Sequence, residues 1–172
     1  YCYLRDMKRI LSIAILSTLM FFAPALHADG PVKSPQQTYV EHFATLAVEE
    51  MYRSGVPASI TLAQGLLESG YGRSELALKS NNHFGIKCTS DWEGKTYTYD
   101  DDRPNECFRS YGDATYSYED HSLFLLRKRY ESLFALPIGD YKAWAYGLKN
   151  CGYATDPKYP EKLINIIELY NL

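Results

Sequence analysis

The sequence predicts a mainly helical α+β fold, and three observations predict it. Apolar residues recur at helical spacing through most of the chain from Pro35 onward. The stretches are bounded by Ser, Asp or Pro at their starts and, for several of them, by Gly at their ends. The period shortens to two only once, between Lys95 and Tyr111, where alternating residues surround a run of turn formers. A helical body with one antiparallel β hairpin as a flap is the architecture that follows.

The elements can be taken in order. Ser34-Pro35 opens the first helix, with Ser as N-cap and Pro at the first helical position. Val40, Phe43, Ala44, Ala47, Val48 and Met51 follow at helical spacing, and Gly55 ends it. Pro57 opens a second helix with Ile60, Ala63 and Leu67 on one side, ending at Gly70. Ser74 caps a short third helix containing Glu75, Leu76 and Ala77, and NNHFGI (81–86) reads as a loop. KTYTY (95–99) and ECFRSY (106–111) alternate as strands, with DDDRPN between them as the turn. Helices resume after Thr115. Ser117 and Asp120 form an S-x-x-D start, with Leu123, Phe124, Leu126, Tyr130 and Phe134 expected to be buried beyond it. Asp140 caps a helix carrying Tyr141, Trp144, Ala145 and Leu148, closed by Gly152. After the loop GYATDPKYP, Pro160 opens the last helix, with Leu163, Ile164, Ile167 and Tyr170.

From Met7 the chain has a Lys8-Arg9 start, an apolar run from Ile10 to Phe22 and small residues near Ala28, the pattern of a secretory signal peptide. Cleavage after Ala25 or Ala28 fits, and the run is short for a membrane span, so no stable membrane anchor is expected. The resulting division is 1–28 as upstream residues plus signal, 29–36 as a short linker and 37–172 as one domain of an exported protein, periplasmic or secreted and expected to be monomeric. Losing Arg5, Lys8, Arg9 and Asp6 with the leader takes the formal charge from −3 to −5. A mildly acidic chain with no basic block argues against a nucleic-acid partner. Its sixteen tyrosines suit carbohydrate or interface surfaces as well as a core.

Cys88, Cys107 and Cys151 remain after the leader. In an oxidising compartment Cys88 and Cys107, which flank the hairpin, are the expected bridge, leaving Cys151 unpaired. A metal site from Cys88, Cys107, His83 and His121 lacks close ligand spacing. No metal and no cofactor are expected, and nucleotide-binding, zinc-protease and serine-hydrolase motifs are all absent from the sequence.

The chemistry therefore falls to LAQGLLESGYGRS (62–74). Here Glu68 sits in the last turn of an apolar helix, where the dipole disfavours a negative charge. Apolar neighbours and that position both hold a carboxyl protonated toward neutral pH, as a general acid requires. Glycoside hydrolysis needs such an acid on the leaving oxygen, and Gly70 and Gly72 turn the chain away from it. A solvated Glu before a helix cap is the competing interpretation of these residues taken alone.

LAQGLLESGYGRS, NNHFGIK, CFRSYGDATYSYEDHSLFL and GYATDPKYPEKL together resemble the bacterial N-acetylglucosaminidase family, glycoside hydrolase family 73, over about 37–172. This is the mannosyl-glycoprotein endo-β-N-acetylglucosaminidase-like domain of peptidoglycan hydrolases. The resemblance implies a lysozyme-like fold, with a helical lobe and a small hairpin lobe flanking a groove. It implies cleavage of the β-1,4 bond after N-acetylglucosamine in cell-wall glycan, with Glu68 as proton donor. It places the second carboxylate on the hairpin lobe, where Glu93, Asp100, Asp101, Asp102 and Glu106 are available. Asp101 or its neighbour Asp100 fits best. An attack by the substrate's own N-acetyl oxygen is a further route. Tyr153 matches a tyrosine lining the family's catalytic centre. For substrate contact the sequence offers Gln64, one turn before Glu68, together with Asn82, Tyr111, Tyr116 and Tyr159, whereas Asp120 and His121 read as helix capping and lobe bracing. A non-catalytic glycan-binding domain and an N-acetylmuramoyl-L-alanine amidase are the rival functions. The amidase would need a zinc ligand set that the sequence lacks.

Overall fold

The computed structural model describes residues 32–172, so the expected signal peptide and the first residues of the expected linker lie outside it. Six α-helices, one 3₁₀ helix and a two-stranded sheet follow in the described residues.

Helix α1 (Pro35–Ser54) starts in a capping box. Ser34 Oγ accepts from the Gln37 N–H, and Gln37 Oε1 accepts from the Ser34 N–H, both at 3.1 Å. The helix closes on Gly55, which takes a left-handed φ of 81°. Pro35 and Gln36, at the end of the expected linker, are its first residues.

Helix α2 (Ala58–Glu68) runs through the middle of the body, and every residue from Ile60 to Leu66 is buried. A helix apolar on all sides needs partners on all sides. One set, including Val56, Ile60, Trp144, Leu148 and Leu163, packs on one flank, and another, including Tyr39, Leu66, Phe84 and Tyr118, packs on the other. Gly65 makes the second contact possible, because a Cβ there would lie 2.7 Å from the Tyr39 hydroxyl and 2.9 Å from that of Tyr118. The helix ends at Glu68, two residues before Gly70. The chain then passes through three consecutive left-handed residues, Gly70, Tyr71 and Gly72. The carbonyls of the last turn are satisfied locally: Leu66 O accepts from the Tyr71 N–H at 2.8 Å, and Gly65 O from Ser69.

Helix α3 (Glu75–Ser80) is capped by Ser74. Strands β1 (Thr96–Tyr99) and β2 (Glu106–Arg109) pair antiparallel, Tyr97 opposite Phe108 and Thr98 opposite Cys107. The far edge of β2 takes up the segment before the hairpin: the Cys88 N–H donates to Cys107 O at 2.9 Å and the Arg109 N–H to Ile86 O at 3.0 Å. A disulfide joins Cys88 to Cys107, and Cys151 is free. Strand β2 stops short of the expected Tyr111 because the Tyr111 N–H leaves the ladder and donates to Ser80 O at the end of α3.

Helix α4 (Ala114–Leu125) begins before the expected S-x-x-D pair. Asp113 is its N-cap, accepting from the Thr115 N–H at 2.7 Å. Ser117 is buried and accepts the His83 N–H, and Asp120 is ion-paired to Arg109. The buried face runs through Tyr118, His121, Ser122 and Leu125, which puts Leu123 on the outer side. Leu123 and Leu126 are thus 56% and 50% exposed, where the sequence suggested burial. A 3₁₀ helix (Lys128–Ala135) turns the chain into α5 (Tyr141–Asn150), capped by Asp140, and α6 (Tyr159–Tyr170) ends the fold.

Candidate active site

The end of α2, the start of α6 and the hairpin enclose a groove of about 790 Å³. Glu68, Tyr153, Tyr159 and Lys162 line it from the helical side, and Lys87, Tyr99, Asp101, Asp102 and Phe108 from the hairpin side. Phe84 and Ile86 lie between them.

Glu68 opens into this groove. Glu68 is an exposed residue, open to solvent on the groove side, but the walls crowd around its carboxyl, and that partial desolvation raises its pKa. Asp101 across the groove pushes the same way. The Tyr159 hydroxyl, which donates to Glu68 Oε1 at 3.0 Å, and the charge of Lys162 oppose the rise without cancelling it. Tyr159 is buried, stacked on Tyr153 at 5.7 Å between ring centroids, and accepts a hydrogen bond from Gln64 Nε2 at 2.9 Å. Tyr153 lines the groove beside Glu68, and its phenol is pushed far above the ordinary value, chiefly by burial and secondly by the Glu68 charge.

The hairpin side is wetter. Asp101 and Asp102 are exposed and gather with Glu106 around the Lys87 ammonium, at 3.3, 3.5 and 2.9 Å. Their oxygens lie close enough together to hold a metal ion, and Lys87 already places a positive charge among them. Asp100 points into the turn, where its carboxylate accepts from the Asn105 N–H at 2.7 Å, and it does not line the groove. The four residues weighed for a metal site are not gathered together: Cys88 and Cys107 are bridged, His83 bonds Tyr39, and His121 bonds Gln64.

The other sequence candidates fall into two groups. Tyr159 lies in the groove. Gln64 is fully buried behind it, one turn back from Glu68, and reaches it through Tyr159. Asn82, Tyr111 and Tyr116 do not line the groove. Asn82 is buried with its amide donating to Ile86 O and Arg109 O, each at 2.9 Å, so it ties the loop to β2. The Tyr111 hydroxyl donates to Asp120, and Tyr116 is 56% exposed on the outside of α4. Lys87, Tyr99, Phe108 and Lys162 were missed. Only Lys162 had a signal, one helical turn beyond Tyr159.

The sequence profile of the mannosyl-glycoprotein endo-β-N-acetylglucosaminidase family matches residues 44–172, three quarters of the chain. The chain belongs to this glucosaminidase family. It is 32% identical to the exo-glucosaminidase LytG of Bacillus subtilis over 94% of its own length, and spans 61% of that relative. Among solved structures, the glucosaminidase fold matches the catalytic domain of the autolysin Auto of Listeria monocytogenes. That match has a TM-score of 0.70 and 30% identity over 81% of this chain and 86% of the other. The glycoside hydrolase domain of FlgJ from Salmonella typhimurium matches with a TM-score of 0.67 and 30% identity, over 79% and 88% of the two chains. The mainly helical body with its small antiparallel sheet is therefore the lysozyme-like glucosaminidase fold that the motifs implied.

Proposed function

We propose that this glucosaminidase domain hydrolyses the β-1,4 bond following N-acetylglucosamine in peptidoglycan, with Glu68 as general acid. The observation that carries the reading is a carboxyl whose protonated form is favoured, hydrogen-bonded by Tyr159, at the wall of a groove of about 790 Å³. Glu68 gives its proton to the glycosidic oxygen as the bond from that oxygen to the sugar's anomeric carbon breaks. Water supplies the hydroxyl that the anomeric carbon gains, and the proton left over restores the acid.

Of the two groove-lining carboxylates on the opposite wall, Asp101 is the one whose charge acts on Glu68, and it is assigned to the developing positive charge or to the water. Asp100 ranks behind it because its carboxylate is engaged with the Asn105 N–H. Tyr153 is assigned to the substrate's N-acetyl group. A chain acting on peptidoglycan works outside the cytoplasm, in the periplasm or beyond, which agrees with the signal pattern of 1–28. No helix among the described residues is long and apolar enough to cross a membrane.

Mass spectrometry of digested peptidoglycan tests the reading. Fragments with N-acetylglucosamine at the reducing end are expected from wild type, and none from Glu68→Gln, whose loss is on the order of 10³-fold or more. N-acetylmuramic acid reducing ends, or equal digestion by both proteins, would sink it.

A further inference from the structure

Glu68 is the near end of a buried chain of polar groups. His121 Nε2 lies 3.1 Å from Gln64 Oε1, Gln64 Nε2 lies 2.9 Å from the Tyr159 hydroxyl oxygen, and that oxygen lies 3.0 Å from Glu68 Oε1. His121 and Gln64 are 0% exposed and Tyr159 3%. None of the three hydrogen bonds is close in sequence: they join residues 57, 95 and 91 positions apart.

We infer that His121 and Gln64 are positioning residues which fix the direction of this chain, so that Glu68 always accepts at Oε1 and carries its transferable proton on Oε2. The inference rests on the reading of Glu68 as general acid.

The direction follows from counting protons. A tyrosine hydroxyl has one, and a carboxamide presents a donor at one end and an acceptor at the other. With the Gln64 nitrogen facing Tyr159, the tyrosine oxygen accepts and its proton goes on to Glu68. With the amide reversed, Tyr159 would donate backward to Gln64 and leave Glu68 without a donor. His121 decides between the two. Burial pushes its pKa down to about 3, so the ring is neutral and carries a single N–H. Its Nδ1 has no partner among the described residues. An unpaired buried N–H costs more than an unpaired lone pair, so the proton sits on Nε2 and donates to the Gln64 oxygen. Phe84 stacks on the ring, centroids 3.9 Å apart and planes within 16°, and holds it in that plane.

The consequence is chemical. Before proton transfer, the Tyr159 hydroxyl donates to a neutral carboxyl. Afterwards it donates to a carboxylate, which makes a stronger, charge-assisted bond. The chain therefore stabilises the state after transfer more than the state before it, the kind of difference that raises kcat rather than lowering KM. The groups facing Glu68 are Tyr159 and Lys162 from α6, Tyr153 from the preceding loop and Asp101 from the hairpin. Gln64, Phe84 and Tyr153 face the His121 ring, none of them charged.

The test is steady-state kinetics against pH for His121→Phe and His121→Gln, with wild type and Glu68→Gln beside them. His121→Phe keeps the ring stack and removes the donor. Its kcat should fall about tenfold with KM within about twofold, and the alkaline limb of kcat should move to higher pH, because Glu68 loses a bond that favours its ionised form. His121→Gln returns a donor near the position of Nε2 and should recover most of that loss. A His121→Phe profile superimposable on wild type, or His121→Gln impaired as much as His121→Phe, overturns the inference. If His121→Phe does not fold, nitrogen NMR of the wild-type imidazole decides instead: protonation at Nε2 is expected, and at Nδ1 overturns it. Active wild type and inert Glu68→Gln beside an unaltered His121→Phe removes the positioning role alone. Glu68→Gln as active as wild type removes the general-acid reading on which that role rests.

Discussion

On the helical wall of the groove, Glu68 is held by a hydroxyl that is itself held by a buried amide, whereas on the hairpin wall Asp101 shares one lysine with two other acids. Both residues present a carboxyl group to the same space. The first is fixed from behind by groups that exclude water, so its geometry and proton affinity are set before substrate arrives. The second stands in the turn two residues past the end of β1, in solvent, and its ion pair is of the exposed kind that contributes little. A general acid needs a defined proton affinity, while a group that meets charge only late in the reaction can be brought up by a moving flap. The hairpin wall holds its acid only by an exposed ion pair.

Activity measurements break the comparison most severely if it is wrong. Glu68→Gln should remove turnover by three orders of magnitude or more, as above, and Asp101→Asn by about a hundredfold, since a solvated partner is easier to replace by water or by the substrate itself. Asp100→Asn should lose no more than about threefold, because that carboxylate is occupied inside the turn. Turnover on purified glycan measures all three, and a loss at Asp100 as large as at Asp101 would transfer the role to it.

The next effect is on stability and belongs to the hairpin wall alone. The Cys88–Cys107 bridge closes a loop with a sequence separation of 19 and ties the segment beside Phe84 and Ile86 to β2. Converting both cysteines to serine should cost about 3 kcal/mol in denaturant unfolding, under the loop-entropy account. Hydrogen exchange should quicken at the Cys88 and Arg109 amides while the Tyr71 amide, bonded to Leu66 O at the end of α2, stays protected. Equal loosening of both walls would mean that they are one cooperative unit.

How much of this was legible in the sequence divides along the same line as locality. Helix starts at Ser34, Ser74 and Asp140 depend on a side chain bonding an amide three residues away, and each was readable. The start of α4 was not. Ser117 and Asp120 look like a cap, but one serves the His83 N–H and the other Arg109, contacts 34 and 11 residues distant. That Glu68 faces the groove could be read because its oddity is local, an acid at the wrong end of an apolar helix. Gln64 shares its face, yet the groove opens only at the last turn, so Gln64 meets the side chain of Tyr159 instead of solvent. For the same reason Asn82 and Tyr111 looked like sugar ligands: an amide or phenol spent on distant backbone or on Asp120 is indistinguishable, in sequence, from one left free.

The smallest expected effect tests the helical wall through pH. Burial raises the Glu68 pKa above its ordinary 4.5, so above that pH the native state holds a proton that the unfolded chain has already released. Stability rises with pH only where the unfolded state binds more protons, and here it binds fewer, so this group makes the protein less stable as pH climbs from 4.5 through the native pKa. Glu68→Gln removes the dependence and keeps a carbonyl oxygen to accept from Tyr159. The variant should therefore gain stability over wild type at pH 8 relative to pH 4, in denaturant unfolding at both. A difference between wild type and Glu68→Gln that is the same at both pH values would mean that the acid pays nothing for its place in the groove wall. Its carboxyl would then be no better prepared to hold a proton than that of a solvated glutamate.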